Sequence, residues 1–99
     1  MSDPLVFFVA GPVDDALAAA VRKRVRATAG AGWFDDPGAA GPAERTVGGY
    51  VRVDTPEDEL GKALLQAATD VSALHGVVVE VQWREEILGH IEAGSWRDP

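Results

Sequence analysis

The stretch Leu5-Val6-Phe7-Phe8-Val9-Ala10, six apolar residues closed by Gly11-Pro12, constrains the fold more than any other part of the chain. In extended backbone, alternate side chains leave opposite faces of a sheet, so a run with no polar residue in either row needs cover on both sides. Its aromatic and β-branched content, and its shortness, favour a strand over a helix. The pattern predicts a central strand over 5–10, and the rest of the chain has to supply its cover.

Two segments have the periodicity to cover one side. Gly11 reads as an N-cap with Pro12 at the first helical position, and Asp14 and Asp15 suit the positive end of the helix dipole. From there Val13, Leu17, Val21, Val25 and Thr28 share one helical face, with Arg22, Lys23 and Arg26 on the far side, to an end near Gly30. Arg24 points into the apolar sector; its long stem is expected to snorkel to water, with a paired carboxylate as the other solution. Thr55-Pro56-Glu57-Asp58 reads as a second helix start, with Thr55 as N-cap and Pro56 at the first position. Leu60, Leu64, Ala67, Val71 and Leu74 then form one stripe, and Gly76 supplies the stop just after His75.

The remaining apolar segments have strand character. Trp33-Phe34 reads as a short edge strand ending in the turn signal Asp35-Asp36-Pro37-Gly38, and the Ala, Gly and Pro content that follows predicts a flexible loop over about 35–46. Residues 47–54 alternate Val51 and Val53 against Tyr50 and Arg52. Val77, Val79, Val81 and Trp83 alternate with Val78, Glu80, Gln82 and Arg84. The segment 87–91 reads either as a strand turning back along its predecessor or as a short helix. Gly89 and the lack of a preferred N-cap favour the strand.

The order β-α-β-β-α-β predicts a single α+β domain over 1–99, of the split βαββαβ or ferredoxin-like type. This is an antiparallel sheet with two helices on one face, here with an extra C-terminal strand as an option. Right-handed crossovers put the first and third strands at the centre and the fourth beside the first. The helices then cover one row of the first strand. The other row, joined by Tyr50 and Val78, has no cover from the helices and is expected to be a contact surface, covered by a second copy or by the loop after Trp33-Phe34.

Composition narrows the partners. A net charge of -7 opposes the nonspecific phosphate attraction that nucleic-acid binding draws on. No cysteine is present, so disulfides and thiolate metal sites are excluded. No apolar run approaches the roughly 18 residues needed to cross a bilayer, and Met1 to Asp3 do not resemble a signal peptide. The expectation is a cytoplasmic protein without membrane or nucleic-acid partners.

Chemistry is sparsely signalled. His75 and His90 stand 15 residues apart without companion ligands, so neither a metal nor a cofactor is expected. Ser2, Ser72 and Ser95 lie at the ends or on a helix, and no residue is assigned as catalytic. The pairs Asp14-Asp15, Asp35-Asp36 and Glu85-Glu86 have local explanations at a helix start and two turns. Glu80 differs, because it interrupts a Val-rich strand.

The expected function is a small non-catalytic accessory or interaction domain, which dimerises or binds another protein through its open sheet face or a strand edge. Phe8, Tyr50, Val78 and Glu80 are the expected contact residues. The alternative is a small-molecule or enzymatic site in a cavity enclosed by two dimerised sheets, with Glu80, Tyr50 or Trp83 reaching in. Arg22, Lys23 and Arg26 read as a solvated helix face, or more sharply as a site for an acidic partner peptide.

Overall fold

A computed structural model of the chain describes residues 2–36 and 45–99. The elements are β1 (Asp3–Ala10), α1 (Asp15–Arg26), β2 (Gly32–Asp36), β3 (Thr46–Val53), α2 (Glu59–His75), β4 (Val78–Trp83), β5 (Glu86–Glu92) and β6 (Ser95–Arg97). The six strands form one open antiparallel sheet in the order β2-β3-β1-β4-β5-β6, so the architecture is α+β. The segment 87–91 is a strand, and a sixth strand follows it that the sequence had not announced. Of the loop expected over 35–46, residues 37–44 lie outside the described residues. Its ends are built in, since Asp35 and Asp36 finish β2 rather than forming a turn.

The two rows of β1 meet different fates. Leu5, Phe7 and Val9 are buried with Val51, Val53, Val79, Val81 and Ile91 beneath Val21, Val25, Leu64 and Val71 of the helices. Val6 and Phe8, in the other row, are only half-buried, so the two-sided cover implied by the apolar run is incomplete. Gly48 lets β3 lie close against β1, because a Cβ there would stand 1.9 Å from the Phe7 carbonyl oxygen.

Both helices begin about one turn later than expected. Asp14 is the N-cap of α1, its side chain accepting from the Leu17 amide at 2.8 Å, and Gly11 instead takes a turn conformation with φ +108°. Asp58 is the N-cap of α2. Thr55 and Asp58 both make capping-type bonds, with Thr55 Oγ1 accepting from the Glu57 amide and Asp58 Oδ2 from the Thr55 amide, but in the turn ahead of the helix. In each segment the acid nearer the apolar stripe caps the helix in place of the expected Gly11 or Thr55. At the far ends, α1 stops at Arg26 rather than near Gly30, while α2 closes on Gly76 in the left-handed conformation as expected.

The stripe of α2 is narrower than its sequence suggests. Leu64, Ala67 and Val71 are buried, but Leu60 is 41% exposed and Leu74 78% exposed. Across from the end of α2 stand Ala20, Lys23 and Arg24 of α1 and Ala27 just after it, and none of them covers Leu74. Arg24 does not snorkel: its guanidinium binds Asp70 at 3.0 Å and donates to Thr28 Oγ1 at 2.9 Å, tying α1 to α2. Ser72 is fully buried, within 2.8 Å of the Val77 carbonyl and 3.1 Å of the Ile91 carbonyl, and its oxygen also accepts from the Gly94 amide. That single hydroxyl joins α2 to the C-terminal strands.

Candidate functional site

The face of the sheet away from the helices carries the residues that the sequence singles out. Strand register sets them in straight rows. One row crosses all six strands: Phe34, Gly48, Phe8, Glu80, His90 and Arg97. The adjacent row runs Gly32, Tyr50, Val6, Gln82 and Ile87. Phe8, Tyr50, Val78 and Glu80 therefore share this face. Trp83 does not, since it pairs with Leu5 in the helix-facing rows, with the Arg84 guanidinium 5.1 Å from its ring centre.

The face is divided in chemistry. Toward β2 it is aromatic, with Phe8 and Phe34 on either side of Gly48, about two strand spacings or roughly 10 Å apart. The Tyr50 ring lies across Gly32, where a Cβ would fall 2.4 Å from the ring, and the residue stays 40% exposed. Toward β6 the face is charged. Gln82 Nε2 donates to Glu80 Oε2 at 2.7 Å, and His90 Nε2 lies 3.4 Å from Glu80 Oε1. The Glu80 side chain is 17% exposed and that of His90 35%, with Arg97 the next cross-strand neighbour.

His90 is the member of this group that sequence reasoning missed. Arg84 and Glu85 make a two-residue hairpin with φ of 54° and 65°, the backbone of a type I′ turn. Counting back from that turn without interruption would put His90 opposite Val79, on the core face. A bulge between Val81 and Gln82 adds one residue to β5, so that Ile91 meets Val79 in the core and His90 meets Glu80 outside. The one available signal was Ile91 itself, an apolar residue that an unbulged hairpin would have turned to the open face.

Two further charge clusters lie on the helix side. Arg45 forms a paired contact with Asp35, at 2.9 and 2.7 Å, and reaches Asp15 at 2.8 Å, joining β2 to the start of α1. These bonds hold the Asp35 carboxyl below the usual carboxylate range, and the two aspartates hold Arg45 more firmly protonated. Asp70 is also held low, first by the Gln66 amide and then by Arg24. Arg22, Lys23 and Arg26 lie exposed along α1, beside a groove of about 300 Å³ between the two helices. No cluster of three or more metal-ligating side chains occurs among the described residues, and no helix there is long and apolar enough to cross a membrane. No family model matches the chain, and no curated protein or solved structure matches it at a significant level.

Proposed function

We propose that the chain is a non-catalytic interaction domain whose open sheet face docks a second copy of itself. The observation that carries this reading is the uneven cover of β1. Leu5 and Phe7 are sealed under the helices, while Val6, Phe8, Phe34 and Val78 are left half-buried and Tyr50 exposed on the other side. Each large apolar side chain left in water forgoes roughly 1.5 to 3 kcal/mol relative to burial. The face is also large enough, since six strands at about 4.8 Å spacing and six residues at about 3.3 Å rise span roughly 24 by 20 Å. With side-chain relief this is of the order of the roughly 800 Å² per partner in a standard interface. The split βαββαβ reading belongs to the same proposal, supported by the order β2-β3-β1-β4 within the sheet.

The second reading, a small-molecule site between two such faces, rests on Glu80, Gln82 and His90, which supply a convergent polar group beside Phe8. Sedimentation equilibrium tests the main one. The wild-type chain should self-associate at micromolar concentration, and Tyr50→Glu should remain folded but shift to monomer. A monomer at high micromolar concentration would end the dimer reading, and an unfolded Tyr50→Glu would show that Tyr50 is structural.

A further inference from the structure

The groove between α1 and α2 lies on the opposite side of the molecule from the open sheet face. It is lined by Ala20, Ala27, Val71, Leu74, Lys23 and His75, together with the paired Arg24 and Asp70. At about 300 Å³ it has the volume of a small ligand pocket. Leu74, on its edge, is the most exposed large apolar residue among those described, at 78%.

Basic charge is concentrated on the helix that borders the groove. The chain carries nine Lys and Arg against sixteen Asp and Glu, yet Arg22, Lys23, Arg24 and Arg26 all fall on α1. Arg24 is engaged by Asp70 and Thr28. Arg22, Lys23 and Arg26 are exposed, and of the three Lys23 lines the groove. A local cationic surface on an acidic protein attracts an acidic partner, while the overall negative field disfavours extended polyanions such as nucleic acid. The apolar part of the lining requires that the partner bring an apolar side chain as well.

We infer that this groove docks an acidic peptide segment of another protein, with a large apolar side chain seated between Ala20, Ala27 and Val71 and flanking carboxylates facing Lys23 and Arg26. Leu74 packs against the anchor from outside. The inference is independent of the open-face reading, because it uses neither that face nor a second copy.

A random twelve-residue peptide display library panned against the full chain tests it, with the enriched peptide then synthesised for fluorescence-polarisation titration. Enrichment of a Leu, Phe or Trp flanked by Asp or Glu is expected. Lys23→Glu and Leu74→Asp, both at exposed positions, should each weaken that peptide at least tenfold with unchanged melting temperature, while Tyr50→Glu leaves it unaffected. The proposal is overturned by enrichment of neutral or basic peptides, by absence of a consensus, or by binding indifferent to Lys23 and Leu74. Lys23-dependent sedimentation with phosphatidylserine vesicles in place of peptide binding would assign the groove to a lipid surface and likewise overturn it.

Discussion

Single residues decide where the strands and helices can sit. Gly48 is the sharpest case, because a methyl group there collides with the main chain of β1 rather than with a side chain that could turn aside. Gly48→Ala should cost about 3 kcal/mol, the upper end of the overpacking range, in urea denaturation; a loss below about 1 kcal/mol would mean that β1 and β3 separate easily. Ser72 works in the opposite direction, through bonds made rather than space left. Ser72→Ala removes the partner of the Gly94 amide and of two carbonyls, so a destabilisation of about 1 to 3 kcal/mol is expected. This role was not legible from the residues alone, since a serine on a helix reads as neutral until the C-terminal strands are placed over it. Arg24 was half legible: its misfit in the apolar sector was visible, but the choice of Asp70 over water depends on how α1 and α2 cross.

At the scale of elements, what was legible is periodicity and what was not is register. The alternation in β3 and β4 and the stripe of α1 place the buried rows correctly, because burial of one face acts on every second or every third to fourth residue. The β5 bulge depends on one residue, Leu88, and reverses the facing of all that follows, which the local pattern signals only through Ile91. NMR should show cross-strand contacts between Glu80 and His90, with Leu88 unpaired; contacts between Val79 and His90 would show the unbulged hairpin instead. The turn before it holds two non-glycine residues at positive φ, and Glu85 is exposed there. Glu85→Gly should therefore stabilise the hairpin by about 0.5 to 1 kcal/mol in thermal denaturation, as relief of left-handed strain outweighs the added chain entropy.

For the molecule as a whole, charge sets the response to solution conditions. The carboxyls of Asp35 and Asp70 are depressed in the folded state, so their stabilisation is present above the unfolded carboxylate range near pH 4 and is lost as pH falls through the folded values. Denaturation midpoints measured down a pH series should hold level to about pH 5 and then drop, and Asp70→Asn should flatten part of that drop. Salt separates the two proposed contacts. Two chains of charge -7 repel, so self-association through an apolar face should strengthen between low and high sodium chloride, whereas peptide docking beside Lys23 should weaken. Self-association that weakens with salt would place ion pairs of Glu80 or Arg97 at the centre of the contact instead of the aromatic side chains.

The brevity of β6 bears on how such a protein avoids polymerising. An open sheet has two outer rims, and a long rim with free amides and carbonyls would template the addition of further chains without limit. Here one rim is three exposed residues followed by Asp98-Pro99, and the other is a five-residue strand ending in Asp35-Asp36. Among the described residues β6 covers only residues 90–92 of β5 and β2 only residues 46–50 of β3, so each rim is stepped into short lengths, which favours closed, countable complexes over filaments in any assembly.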